Sequence, residues 1–430
     1  MNESIDTTNM TITSHTEVHN IRNKKEMMLI HNGEFAKAIP VLPRVETSTL
    51  SVGWDDDKVQ AFVKAMKQVV IENPILTSHL IKKKNSIYAC PGTFSPEKHK
   101  FVTVVDESES GDNINIRDLK STKERLDFIQ QFISSKLGDK KSSGSNDIKT
   151  KCPLFHAYLF RFSDGYACYH IGISHALVDG HTYYLIIDQI SSFMNQEEVT
   201  KINWGNPGLT THEAIPDHYT KKDKKKIGPL PMILGIVRYA FCAGKKKKHT
   251  WWICSKEELN IQKDEQLESG TEYISSHDLI ISAISRAIKS SDEIGVNMNN
   301  RSGDRSSFSL SDGGNCVKMI TMPCEAVSNP NLCRKTMNKG YYYGANEVKS
   351  KAVKRGRVCY TTTWATGYKL IQGVSTICHS PSLKFAQSVL PCDFCIIFAL
   401  DDDSLGVLTN FLEVDNDELG KMEKWIKVLD

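Results

Sequence analysis

The feature that most constrains this chain is a break in its middle. Up to about residue 202, apolar residues recur with the periods of helices and strands. From about 203 to 250 the text turns to Gly, Pro and charge with little period (NWGNPGLTTHEAIPDHYTKKDKKKIGPLP), and periodicity resumes at HTWWICSKEEL. A domain usually takes about 100–200 residues, so 430 residues suit two or three units and not one. The pattern predicts two α+β halves of similar size, 21–202 and 249–430, joined by a crossover over 203–248. The polar first 20 residues are expected to be disordered, and no internal repeat relates the halves.

Within the first half, PRVETSTLSVGW reads as a strand and DDDKVQAFVKAMKQVVIENP as a helix. In that helix Val59, Phe62, Val63, Met66, Val69 and Val70 fall at three- and four-residue steps, and Pro74 stops it. ERLDFIQQFISSKLG repeats the pattern through Leu126, Ile129, Phe132, Ile133 and Leu137, and GDKKSSGSNDIKTK follows as a polar loop. LFHAYLFRF and YACYHIGIS are apolar strands joined by the turn Ser163-Asp164-Gly165. A helix through HTYYLIIDQISSFMN closes the half, and HDLIISAISRAIKSS is the main helix of the second.

A hydrophobic fraction of 40% excludes a chain that is disordered or membrane-embedded as a whole. Lys and Arg number 54 against 51 Asp and Glu, and a net charge of +3 gives no general attraction to nucleic acid. Cysteines run from Cys90 to Cys395 without a framework, and the N terminus has no apolar signal core. Together these point to reduced thiols and a cytoplasmic protein. The pair Cys392 and Cys395 sits in a strand-like run without a second pair, so it reads as structural and no metal is expected. The run 221–248 is apolar with lysines at both ends, and Pro229 and Pro231 leave it too short to span a bilayer. It reads as a crossover helix with solvated ends, with peripheral membrane contact as the next alternative, and a nuclear-import-like basic run or a patch for CoA phosphates after it.

Chemistry concentrates in YHIGISHALVDGHTYY. A strand, Tyr169 to Ser174, ends at His175; Asp179 and Gly180 follow, and then a helix begins. A histidine at a strand-to-loop junction can face a cleft, and its ordinary pKa near 6.5 suits it to accept a proton. The glycine would let the chain turn tightly. Spacing alone leaves open a core histidine beside an N-capping aspartate.

The segment resembles the His-x-x-x-Asp-Gly motif of the coenzyme A-dependent acyltransferase superfamily, which includes BAHD acyltransferases, alcohol O-acyltransferases, wax ester synthases and condensation domains. SSHDLIISAISRAI, VNMNNRSGDRSSFSLSDGGNC with Gly314-Asn315, NPILTSHL and RVCYTTTWATG resemble further phrases of the family, in order, over most of residues 40 to 415. Ser174 stands where many relatives carry a second histidine, and no Asp-Phe-Gly-Trp-Gly run follows the Trp364 segment. The likeness is therefore to the superfamily more than to condensation domains, wax synthases or the plant subgroup.

The resemblance implies an α+β fold of two chloramphenicol acetyltransferase-like domains, each a mixed β-sheet flanked by helices, with a channel between them. It implies acyl-CoA as co-substrate, no bound cofactor, and an alcohol or amine acceptor. His175 would be the general base. Asp179 would point back into the fold and pair with Arg301, or failing that with Arg286. Thr362, or else the pair Thr361 and Thr363, would face the channel next to Trp364 and supply an oxyanion donor, as could Asn315. A monomer is expected. A non-catalytic ligand-binding protein of the same fold is the competing reading.

Overall fold

The computed structural model describes residues 28–32, 44–84, 86–107, 115–138, 144–204, 248–268, 273–299, 301, 308–340, 358–365, 368–382, 393–411, 413–420 and 426–429. The N-terminal 20 residues, most of the crossover with its lysine-flanked run, Asn300 and Cys392 lie outside them. In chain order the first half contains β1 (Met28–Asn32), β2 (Val45–Val52), α1 (Asp56–Glu72), β3 (His79–Lys83), β4 (Ser86–Cys90) and β5 (Val102–Asp106). It continues with α2 (Thr122–Leu137), α3 (Gly144–Thr150), β6 (Phe155–Arg161), β7 (Tyr166–Ile173) and α4 (Gly180–Asn195). Then come β8 (Lys248–Ser255), α5 (Lys256–Glu268), α6 (Ser276–Ala287), β9 (Glu293–Asn299), β10 (Val317–Pro323) and α7 (Pro330–Gly340). The chain ends with β11 (Val358–Thr363), β12 (Ser375–Pro381), β13 (Asp393–Ala399), β14 (Ser404–Phe411), α8 (Asn416–Gly420) and β15 (Ile426–Leu429).

Two mixed sheets carry the architecture: a five-stranded one ordered β12-β2-β7-β6-β5 and a seven-stranded one ordered β10-β9-β11-β13-β14-β8-β15. A small sheet, β1-β4-β3, stands beside them. The helices form where the sequence supplies both a cap and a stripe. Asp55 accepts from the Lys58 amide to start α1, and Val59, Phe62, Met66, Val69 and Val70 are its buried face; Val63 is only half-buried. Ser121 with Glu124, and Ser275 with Asp278, close capping boxes on α2 and α6. One core joins residues of both large sheets, from Phe62 and Ile171 to Tyr360, Trp364 and Phe398. A second core packs α6 behind the seven-stranded sheet, through Ile280, Ile284, Ile294, Cys359 and Ile397.

Two elements differ from the sequence reading. The supposed polar loop contains α3, because Arg44 reaches across from the start of β2 and donates to the buried Asp147 carboxylate at 2.7 and 3.0 Å. A tertiary ion pair thus overrides weak local propensity. The second difference is β12, which leaves the C-terminal half and pairs antiparallel with β2, from Ser375 opposite Val52 to Pro381 opposite Thr47. The division of the chain at its crossover does not foresee this exchange.

His379 fastens the exchanged strand. Its Nδ1 lies 2.7 Å from Thr49 Oγ1 and its Nε2 lies 2.9 Å from the Tyr184 hydroxyl. Burial pushes this imidazole down to about 3, and it pushes His277 down to about 4. A free histidine in the unfolded chain protonates near 6.5. The stability these neutral rings confer is therefore complete above about pH 6.5 and is lost as pH falls toward the folded values, at up to about 1.4 kcal/mol per pH unit per ring. Thermal melts between pH 7.5 and 5 should show a melting temperature that drops below pH 6.5, with a shallower drop in His379→Gln.

Candidate active site

Strand β7 is flanked on both sides, by β2 and β6, and so delivers the residues after it to a fixed place. Ser174 follows, its amide donating to the Leu154 carbonyl at 2.8 Å, and His175 comes next with its ring half-buried. The loop then turns into α4, with Asp179 as the N-cap accepting from the Thr182 amide at 2.9 Å. Burial lowers the His175 pKa, and the backbone of His175 and the Asp179 charge partly offset that. At neutral pH the ring is therefore uncharged.

Asp179 and Arg301 form a bidentate pair between the two halves. Arg301 Nη1 donates to Asp179 Oδ2 at 2.7 Å and Nη2 to Oδ1 at 3.2 Å, with the side chains 0% and 3% exposed. Every arginine nitrogen is used: Nε donates to the Asp312 carbonyl at 2.7 Å, and Nη2 also donates to Thr182 Oγ1 and the Gly314 carbonyl. Burial works against ionisation of Asp179, but the Arg301 guanidinium and the Thr182 amide outweigh it and hold the carboxyl below its ordinary value. Arg286, the second choice from sequence, donates instead to Glu418 and the Ser328 carbonyl on the far side of its half.

The turn Gly314-Asn315-Cys316 completes the clasp. The Cys316 amide donates to Asp179 Oδ2 at 3.0 Å, and Thr182 Oγ1 donates to the Gly314 carbonyl at 2.9 Å while accepting from the Gly314 amide at 3.1 Å. Asn315 Nδ2 donates to the His175 carbonyl at 2.8 Å and to the Ala176 carbonyl at 3.4 Å. Both of its amide protons are thereby spent, so Asn315 is not an oxyanion donor. Thr182 is the hub that sequence reading missed; a threonine in the first turn of a helix carries no signal of a partner 132 positions away.

Gly180 has a different reason from the tight turn inferred for it, since its φ is not in the left-handed region. A Cβ there would lie 2.8 Å from Cδ1 and 3.0 Å from Nε1 of the buried Trp364 indole. Gly180→Ala must push the indole back, and overpacking of this kind costs about 1–3 kcal/mol. A melting curve lower than wild type is the expected outcome, and recovery in Gly180→Ala/Trp364→Phe would tie it to this contact.

On β11, Thr362 shares a face with Tyr360, which belongs to the core between the sheets. Thr361 and Thr363 share the opposite face with Cys359, which belongs to the second core, and Thr361 Oγ1 donates to the Gly295 carbonyl. Of the three threonines, Thr362 is the one turned toward the N-terminal half.

Among the described residues, Glu46, His156 and His170 have possible ligand atoms within 4.8 Å of one another. Gly172, opposite both Glu46 and His156 in register, leaves room for those two side chains to meet across it, with His156 Nε2 3.9 Å from Glu46 Oε1. Arg44 Nη1, however, lies 2.5 Å from His156 Nδ1. Since a guanidinium only donates, it places the ring proton on Nε2 facing the carboxylate. The arrangement fits a hydrogen-bonded cluster better than a metal ligand set.

No family model matches the sequence, and no curated protein does. Solved structures do. The chain is similar to Fusarium sporotrichioides TRI101 complexed with coenzyme A and T-2, at 13% identity over 94% of this chain and 99% of that one, with a TM-score of 0.62. Fusarium graminearum TRI101 complexed with coenzyme A and deoxynivalenol gives 12% identity, 93% and 100% coverage, and a TM-score of 0.61. The first condensation domain of the calcium-dependent antibiotic synthetase, with a substrate analogue, gives 10% identity, 92% and 94% coverage, and 0.57. These likenesses establish the fold: two chloramphenicol acetyltransferase-like α+β units, as the sequence resemblance implied.

Proposed function

We propose that this protein transfers an acyl group from acyl-CoA to a hydroxyl or amine acceptor, with His175 as general base. The observation that carries the reading is the clasp: a loop of one half holds His175 at the end of β7, and Arg301 and the Gly314–Cys316 turn of the other half brace that loop. The fold adds weight, because TRI101 was crystallised with coenzyme A together with T-2 or deoxynivalenol.

A thioester is already activated, so the residues need only remove a proton and hold both reactants in line. The acceptor O–H or N–H gives its proton to His175 as the oxygen or nitrogen attacks the thioester carbonyl. The C–S bond then breaks, and the imidazolium returns the proton to the departing thiolate. Thr362 is the donor we assign to the developing oxyanion. Asp179 does not touch substrate in this scheme; it holds the loop. Residues 21–202 and 249–430 are read as the two catalytic halves. No described helix is long and apolar enough to cross a membrane.

A free-thiol assay over a matrix of acyl-CoAs against alcohols and amines tests the reading. Thiol release that needs both partners supports it. Tight acyl-CoA binding with no release across the matrix favours the non-catalytic ligand-binding alternative.

A further inference from the structure

Where the chain enters the crossover it first docks on the other half. Asn203 and Asp312 form an isolated parallel bridge. The Asn203 amide donates to the Ser311 carbonyl at 2.9 Å, the Gly313 amide donates to the Asn203 carbonyl at 2.8 Å, and Asn203 Nδ2 donates to Asp312 Oδ1 at 2.7 Å. A Cβ on Gly313 would lie 2.7 Å from Ile202 Cγ2 and 2.8 Å from Trp204 Cε3, so position 313 is a glycine because the two segments touch there. The clasp around His175 thus has a tryptophan packed on a glycine twice over: Trp364 of the second half on Gly180, and Trp204 at the start of the crossover on Gly313.

Trp204 is in turn fastened to the first half. Its Nε1 donates to Asn73 Oδ1 at 2.8 Å. Asn73 is buried at the end of α1, and its Nδ2 donates to the Val69 carbonyl at 2.8 Å and to Gln189 Oε1 on α4 at 2.7 Å. Gln189 Nε2 donates to the Thr200 carbonyl at 2.8 Å. An amide donates only through its nitrogen, so Asn73 with Nδ2 on two oxygens must offer Oδ1 to the indole, and the bonds of this network run in one consistent direction. A buried polar network completed in this way holds its parts in a single arrangement.

We propose that Trp204 is a positioning residue for His175: anchored through Asn73 to α1 and α4, it fixes the 311–316 turn, and the turn fixes the His175 loop. The turn reaches that loop at three points, with Asn315 Nδ2 on the His175 carbonyl, the Cys316 amide on Asp179 Oδ2, and the Gly314 carbonyl accepting from the Asp179 amide at 3.3 Å. It also holds Arg301, whose Nε donates to the Asp312 carbonyl at the bridge itself. A shift of the turn therefore moves the imidazole relative to acceptor and thioester, and misplacement by about 1 Å can cost about 10²-fold in rate. This role rests on the reading of His175 as the base. Trp204 itself touches no reactant.

The test compares wild type with Trp204→Ala, Trp204→Phe and Gly313→Ala in the full chain. Ile284→Val, in the second core, is the control for a general loss of stability. All are measured at a temperature where melting curves show every protein folded. The first readout is amide hydrogen exchange by mass spectrometry. Peptides over 176–182 and 311–316 should exchange about tenfold faster in Trp204→Ala and Gly313→Ala, while β7 and the control stay at wild-type rates. This readout needs no turnover, so it separates failure of this proposal from failure of the acyltransferase reading. The second is kcat against KM. In Trp204→Ala and Gly313→Ala kcat should fall about 10–100-fold with KM for acyl-CoA nearly unchanged, and the control should keep its kcat. Trp204→Phe keeps a ring over Gly313 but loses the bond to Asn73, so it should fall between wild type and Trp204→Ala. Wild-type exchange in both peptides, kcat within about twofold of wild type in both Trp204→Ala and Gly313→Ala, or an equal loss in the control overturns the proposal. Should Trp204→Ala fail to fold, Gly313→Ala and Trp204→Phe decide on the same readouts, since a purely structural tryptophan predicts no local change in exchange and no fall in kcat while the protein is folded.

Discussion

His175→Ala is expected to lower the turnover number by about 10²–10⁴, the usual consequence of losing a general base, while acyl-CoA binding persists. The ring is half-buried at the end of β7 and burial keeps it neutral, so the alanine variant loses a proton acceptor without exposing a charge. Its thermal stability should stay close to that of wild type. Steady-state kinetics beside calorimetric titration with a non-reactive acyl-CoA analogue separates the two quantities. Near-normal turnover in this variant would falsify the assignment of the base.

Asp179→Asn should behave in the opposite way, losing stability and activity together. Its carboxylate receives Arg301 Nη1 and Nη2 and the Thr182 and Cys316 amides, and both charges are out of contact with water. Removing one charge of a buried pair leaves the other uncompensated, at a cost of about 3–5 kcal/mol. The sign of the pH dependence follows from the lowered Asp179 value. The contribution is complete above the unfolded carboxyl value of about 3.9 and is lost as pH falls through the folded one. The stability gap between wild type and Asp179→Asn should thus persist from neutral pH to about 4 and close below it. A double-mutant cycle with Arg301→Met should give a coupling energy of at least about 0.5 kcal/mol, and additivity would mean the pair does not act as a unit. An Asp179→Asn protein that melts normally yet is inactive would place the carboxylate in the chemistry.

What the sequence disclosed depended on whether the interaction was local. Helices α1, α2, α4 and α6 were legible because an apolar stripe and a cap lie within one segment. The β6–β7 hairpin was legible from its turn, where Asp164 and Gly165 both take positive φ. The exchange of β12 was not, because nothing within the segment STICHSP says which sheet it joins. The short helix α3 escaped for a related reason: Arg44, 103 residues away, is what makes its aspartate a buried anchor. At the site, His175 and Asp179 stood out by spacing, but the choice of Arg301 over Arg286 came from the family resemblance. Thr182, and the true contacts of Asn315 and Gly180, required the fold, since each is defined by a partner on the other half.

Acyl transfer by this protein is read directly in a quenched single-turnover reaction with acyl-CoA labelled in its acyl carbonyl, run with an acceptor that scores in the thiol assay. Label should appear in the acceptor as an ester or amide, one CoA thiol released per product, at a rate that collapses in His175→Ala although label still binds. Label that stays in the thioester, or that appears only as the free acid whatever acceptor is present, would contradict it.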